Sequence, residues 1–202
     1  SVTLVDLGMK YDYLHNLCRG ENAWDEVRKY LVSDASDKDK KQQVSCQKAS
    51  LKYTCLHLAC RAADDIVKSM IDIGGRELVM ATGWQKMTAL HVACSYGASF
   101  NVMKMLIDVG GKDLVMAKTA RGDTALHFLR YCINNHDNPA DKIKLFLEAA
   151  DTEEILKAKN NAGKTPLQIA TTRKASNEIQ DLLRPRQSSA AVLEDKMVTT
   201  EP

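Results

Sequence analysis

The sequence predicts an all-α solenoid of helix-turn-helix units, and three observations carry that reading. A seven-residue phrase, Thr54-Cys55-Leu56-His57-Leu58-Ala59-Cys60, returns as Thr88-Ala89-Leu90-His91-Val92-Ala93-Cys94 and more loosely as Thr124-Ala125-Leu126-His127-Phe128-Leu129-Arg130. Thr165-Pro166-Leu167-Gln168-Ile169-Ala170 is a further copy, and Asp12-Tyr13-Leu14-His15-Asn16-Leu17-Cys18 fits the same frame with Asp for the opening Thr. A second phrase follows the first: Ile66-Val67-Lys68-Ser69-Met70-Ile71-Asp72-Ile73-Gly74-Gly75 matches Val102-Met103-Lys104-Met105-Leu106-Ile107-Asp108-Val109-Gly110-Gly111, and Leu78-Val79-Met80-Ala81 matches Leu114-Val115-Met116-Ala117. Third, the copies open at 12, 54, 88, 124 and 165, spacings of 42, 34, 36 and 41. A unit of about 33 to 36 residues with two insertions accounts for them.

Each element follows from residue chemistry. The opening Thr is an N-cap whose hydroxyl satisfies an orphan amide, and Pro166 stands at N1, where a missing N–H is harmless. Leu56, Leu90, Leu126 and Leu167 point into the inter-unit core, while small residues at Ala59, Cys60, Ala93 and Cys94 let helices approach closely. The second helix shows apolar residues at i, i+3 and i+4 (Val67, Met70, Ile71), and the Gly pair supplies the left-handed residue that ends it. An extended loop then leads to the next unit. Residues 33–50, with Asp34-Ala35-Ser36-Asp37-Lys38-Asp39-Lys40-Lys41, read as a mobile mixed-charge loop between the first two units. Residues 186–202 hold only Val192, Leu193, Met197 and Val198 as large apolar content and read as a polar, flexible tail, with a short docking helix over 190–198 as the other reading.

Composition excludes several classes. Of 202 residues, 45% are hydrophobic and 27% charged, with 10 Gly and 4 Pro, so a packed core is expected rather than a disordered or collagenous chain. The formal charge of +2, unclustered in sequence, argues against a nucleic-acid partner. No uncharged apolar run reaches the roughly 18 residues of a membrane span, and residues 1–10 lack the pattern of a secretory leader. The chain reads as soluble and unsecreted.

The T-P-L-H-x-A-like phrase in a unit of this length resembles the ankyrin repeat over residues 8–185, most closely at Thr54 and Thr88. The resemblance implies an L-shaped unit of two antiparallel helices with a β-hairpin finger at its base, in five copies over 8–45, 50–83, 84–119, 120–160 and 161–185. Gly122 and Gly163 then occupy the finger turn, but Lys52 and Lys86 stand at the equivalent places at a cost of roughly 1 kcal/mol, which predicts differently shaped fingers there. Leu129 and Arg130 replace the small pair in the fourth unit, and an extra segment over 133–139 predicts a wider or bent stack.

Reactive readings give way to the frame. Cys18, Cys60 and Cys94 share one position and read as small buried hydrophobes, too far apart across stacked helices for disulfides. Neither a metal nor any other cofactor is expected. Free thiols suit a reducing compartment, hence a cytoplasmic or nuclear location. His15, His57, His91 and His127 recur too regularly for a catalytic base and have no recurring nucleophile beside them. In the family resembled, this His bonds between neighbouring turns, and Gln168 replaces it in the last unit. No catalytic residue is assigned, and the chain reads as a non-enzymatic module.

The resemblance further implies that a protein partner docks on the concave face formed by finger tips and first helices. Carried onto this chain, that face comprises Ser50, Leu51, Tyr53 and Arg61, then Trp84, Gln85, Met87, Ser95 and Tyr96, then Arg121, Asp123 and Tyr131, with Lys164 and Arg173. Of two Trp, six Tyr and three Phe, Tyr53, Trp84, Tyr96 and Tyr131 fall on these exposed positions. Aromatics and Arg dominate interface energetics. Trp84 and Tyr96 are the preferred anchors, against the alternative that Trp84 only packs over its own finger. Arg61, Arg121, Lys164 and Arg173 would favour an acidic segment on the partner. Two other readings stay open: a regulatory segment of a larger enzyme or channel, and a structural protein that self-associates through its tail or its irregular fourth unit.

Overall fold

A computed structural model describes residues 13–19, 23–47, 52–61, 64–131 and 139–185. Two rows of helices stack along the chain. The first row holds α1 (Tyr13–Leu17), α4 (Cys55–Ala59), α6 (Ala89–Tyr96), a 3₁₀ helix (Ala125–Tyr131) and α10 (Pro166–Thr172). The second row holds α2 (Trp24–Leu31), α5 (Asp64–Met80), α7 (Phe100–Met116), α8 (Pro139–Ala149) and α11 (Asn177–Leu182). Each row packs on itself, α5 on α7 on α8 and α4 on α6 on the 3₁₀ helix, so every unit is covered by its neighbours. Leu56, Leu90, Leu126, Val67, Met103, Leu106 and Phe146 are buried in that seam, whereas Leu167 of the last copy is only partly buried.

The recurring Thr and His hold consecutive units in register. His57 Nδ1 accepts from the Thr54 backbone N–H at 3.2 Å and from the Thr54 hydroxyl at 2.8 Å, while its Nε2–H donates to the Met87 carbonyl of the next unit at 3.0 Å. His91 makes the same bonds to Thr88 and to the Asp123 carbonyl at 3.2 Å, and His127 to Thr124 and the Lys164 carbonyl at 3.1 Å. His15 reaches the Tyr53 carbonyl at 2.8 Å. These carbonyl acceptors fix the Nε2–H tautomer in His57, His91 and His127 and leave Nδ1 as the acceptor. The Thr hydroxyl serves twice in these units: at Thr54 and Thr88 it caps the helix as expected, facing the backbone N–H of His57 and His91 in a capping box, and it also donates to the imidazole. At Thr165 the hydroxyl does accept from the Gln168 N–H, at 3.3 Å, and Gln168 Oε1 accepts from the Thr165 N–H at 2.9 Å.

The structure differs from the sequence reading at three places. Residues 33–50 do not form a loop throughout: Asp37–Ser45 is a helix, α3, capped by Ser36, whose hydroxyl oxygen accepts from the Asp39 N–H. Gln43 and Val44 of this helix are buried, and Gln43 Oε1 accepts from the Leu14 N–H at 3.1 Å. The Gly pairs do not lead into extended loops either. After Gly75 (φ 59°, ψ −157°) and Gly111 (φ 61°, ψ −157°) the backbone resumes one more helical turn, as α9 (Thr152–Lys157) does after α8. Arg76 of that extra turn donates to the carbonyls of Val109 and Gly110 at 2.9 and 2.7 Å, capping the next unit's helix end. In the fourth unit the first helix is 3₁₀ rather than α. Lys142 of α8 is fully buried there and donates to the Ala98 carbonyl at 2.8 Å. Of the extra segment at 133–139 only Pro139, the first residue of α8, is described; the rest of it and the tail at 186–202 lie outside the described residues.

Candidate functional site

Among the described residues, backbone hydrogen bonds define three fingers that precede first-row helices. Gly83 N–H donates to Met87 O at 2.8 Å beside an antiparallel bridge between Thr82 and Thr88. Thr119 N–H donates to Asp123 O at 2.9 Å, and Asn160 N–H to Lys164 O at 3.0 Å. The fingers are also joined to one another: Ala120 N–H donates to Gln85 O at 2.7 Å, and Asn161 N–H to Arg121 O at 2.9 Å. They form a continuous, mutually braced row.

Lys52 and Lys86 adopt φ values of 52° and 57°, in the same left-handed region as Gly122 at 76° and Gly163 at 72°. The lysines thus enter the turn geometry that glycine favours. The Trp84 finger differs in one respect, a second left-handed residue at Gln85 (φ 53°, ψ 32°). Two such residues in succession make the tight hairpin turn that Asn-Gly normally fills. Lys86→Gly is therefore expected to stabilise the protein by about 1 kcal/mol, raising Tm by about 2–4 °C. Differential scanning calorimetry of the purified variant checks this, and an unchanged or lowered Tm would contradict it.

The candidate docking residues divide by what they touch. Trp84 and Tyr96 are 49% and 57% exposed, while Arg61, Arg121, Lys164 and Arg173 are exposed as well. Arg61 places its guanidinium 4.3 Å from the centre of the Tyr96 ring, a cation–π contact from one unit to the next. Tyr53, expected on the surface, is half-buried. Its ring stacks on His57 at 5.1 Å, its hydroxyl reaches the Met87 sulfur at 3.6 Å, and a Cβ on Gly83 would collide with it. Met87 and Asp123 are half-buried too, and each gives its carbonyl to a histidine of the preceding unit. Asp123 Oδ1 also accepts from Asn160 Nδ2 at 2.7 Å. Gln85 and Ser95 are half-buried. Tyr131 ends the 3₁₀ helix, and Ser50 and Leu51 lie outside the described residues.

The chemically reactive side chains are engaged elsewhere. Burial holds the imidazoles of His57 and His91 down at about 4 and lowers that of His127. Among the described residues Cys18, Cys55 and Cys60 are buried free thiols. A hydrogen bond that the Cys55 thiol donates to Cys18, together with burial, raises it well above the usual range; burial alone pushes Cys60 up to about 12. Cys55 and Cys18 are thus close neighbours, a pairing across units that the shared-position argument did not foresee. Sequence reasoning also passed over Lys52, Lys86 and Lys118 as docking candidates. The available signal was that the finger segments contain these cations and a single acid, Asp123.

Among the described residues no helix is long and apolar enough to cross a membrane. A family model for ankyrin repeats, in three copies, matches residues 14–116. Among curated proteins no match to the chain was found.

Proposed function

Because the chain belongs to the ankyrin-repeat family, whose members are in general protein–protein interaction modules, we propose that it is a non-enzymatic adaptor or scaffold. Its docking face is the row of fingers with the exposed ends of the first-row helices, over five units within residues 1–185. The observation that carries this reading is the placement of Trp84 and Tyr96. Both are about half-exposed, at the finger tip and first-helix end of one unit, with Arg61 from the preceding unit over the Tyr96 ring. Large rings with few rotamers, backed by a rigid scaffold, are the anchors that interfaces use. Arg61 and Tyr96 also present a preorganised pair, so less side-chain freedom is lost on binding. The free thiols of Cys18, Cys55 and Cys60 favour the cytoplasm or nucleus as its location.

The test is affinity capture from a native lysate with wild type and with Trp84→Ala/Tyr96→Ala. The double variant is expected to lose the specifically retained proteins while its Tm stays within about 2 °C, since neither ring is in the buried core. Undiminished capture by a folded double variant contradicts the assignment of these anchors.

A further inference from the structure

Resting on the docking reading above, we infer that the partner presents an extended acidic protein segment, which lies along the finger row with carboxylates about every third residue.

The charges of this protein are segregated by face. On α5 and α7 every cation has a carboxylate partner: Lys68 with Asp72 at 2.8 Å, Arg76 with Asp113 at 2.6 Å, Lys104 with Asp108 at 2.8 Å and Lys112 with Glu154 at 2.7 Å. The fingers are the opposite. Lys52, Lys86, Lys118, Arg121 and Lys164 are all exposed, and among the described residues none of them forms an ion pair. The one finger carboxylate, Asp123, is half-buried and bonded to Asn160. A chain of net charge +2 therefore concentrates uncompensated positive charge along one edge.

Two further observations tie that edge to a ligand. Lys52 and Lys86 keep cations at left-handed positions where glycine is conformationally cheaper. Strained backbone of this kind clusters at functional sites. The row is also rigid and periodic, because neighbouring fingers are hydrogen-bonded to each other. One finger plus one inter-finger gap spans about two strand separations of about 4.8 Å, hence roughly 10 Å, while an extended peptide advances about 3.3 Å per residue. Carboxylates three residues apart thus match successive fingers. A single nucleic-acid strand fits less well: successive bases call for a series of aromatic platforms. Trp84 is the one aromatic exposed on the described fingers.

The experiment uses fluorescence anisotropy with a labelled (Glu-Ser-Gly)5 peptide, a (Lys-Ser-Gly)5 peptide and an oligothymidylate of the same charge as the first. Wild type is expected to bind the Glu peptide at least tenfold more tightly than the Lys peptide or the oligothymidylate. A rise from 50 to 300 mM salt is expected to weaken that binding about tenfold. Lys86→Glu/Lys118→Glu/Arg121→Glu/Lys164→Glu, with its fold checked by circular dichroism, is expected to lose at least tenfold. Lys68→Glu/Lys104→Glu on the paired face is expected to stay within twofold. The inference is overturned by absent binding of the Glu peptide, by equal binding of the Lys peptide, by indifference to the finger variant, or by tighter binding of the oligothymidylate, which would make the edge a nucleic-acid surface. Native-lysate capture separates this from the broader reading. Proteins lost with Trp84→Ala/Tyr96→Ala but retained by the finger variant uphold docking and refute the acidic segment.

Discussion

Between pH 7 and pH 5 the protein is expected to lose about 4 kcal/mol of stability, through His57 and His91 alone. Burial holds both rings near 4 in the folded state, against about 6.5 in an unfolded chain. The folded state therefore binds fewer protons across that interval. Stability is fully present above about pH 6.5 and drains as pH falls toward 4, by about 2 kcal/mol per ring at pH 5 and about 3 once below both values. Protonation also turns Nδ1 into a donor facing the N–H and hydroxyl of Thr54 or Thr88, which reverses one bond and orphans another. Urea titrations at pH 7, 6 and 5 measure the effect. His91→Gln isolates the cause, because Gln168 already shows that a glutamine caps this position by accepting from the Thr N–H. That variant is expected to be about 1–2 kcal/mol less stable at pH 7, lacking the reach to the Asp123 carbonyl, yet to shed about half of the acid sensitivity. Equal stability at pH 5 and 7 in wild type, or an undiminished slope in His91→Gln, would refute the assignment.

Replacing Gly110 and Gly111 together by Ala is expected to destabilise the protein by about 4 kcal/mol, and the two positions act for different reasons. A Cβ on Gly110 would land on Cβ and Cδ2 of Leu114, which is fully buried and has nowhere to retreat. Overpacking of that kind costs about 1–3 kcal/mol. A Cβ on Gly111 meets nothing within 4 Å; its difficulty is φ 61° with ψ −157°, a conformation essentially confined to glycine and costing about 1–3 kcal/mol for other residues. Asn, which tolerates ordinary left-handed turns, is expected to rescue Gly111→Ala no better than any other residue. Chemical denaturation of the single and double variants tests both points. A Gly111→Asn protein as stable as wild type would mean that the backbone there relaxes to an ordinary helix end.

That glycine pair shows how far the sequence is legible. Its recurrence at 74–75 and 110–111 marks where the second helix stops. It does not reveal that one more turn follows, because Arg76-Glu77-Leu78-Val79-Met80 is too short for its own periodicity to register. The turn exists because Leu78 and Val79 are buried and Arg76 caps the next unit's helix. The helix at Asp37–Ser45 is hidden for a related reason. It carries five charged residues and no apolar stripe, and it is held instead by the Ser36 cap and the tertiary bond from Leu14 to Gln43. Among the candidate docking residues, exposure of Trp84 and Tyr96 follows from their places in the repeat. Tyr53 departs because Gly83 of the following finger leaves room for its ring to fold inward over His57. The lysines at left-handed turns read in sequence as penalties. Only the ion pairs of the opposite face disclose that the fingers form an uncompensated edge.

The imidazole bridges have one more implication, for how such a chain grows. From His15 to His127 each junction is closed the same way, a ring in one copy clasping the peptide carbonyl that directly precedes the opening Thr of the next. Interchangeable couplings of this sort mean that a gene segment encoding one internal copy can be duplicated in tandem, and the newcomer will find a matching socket on either side without compensating substitutions. The match between 66–81 and 102–117, identical at nine of sixteen positions, is what an event of that kind leaves behind.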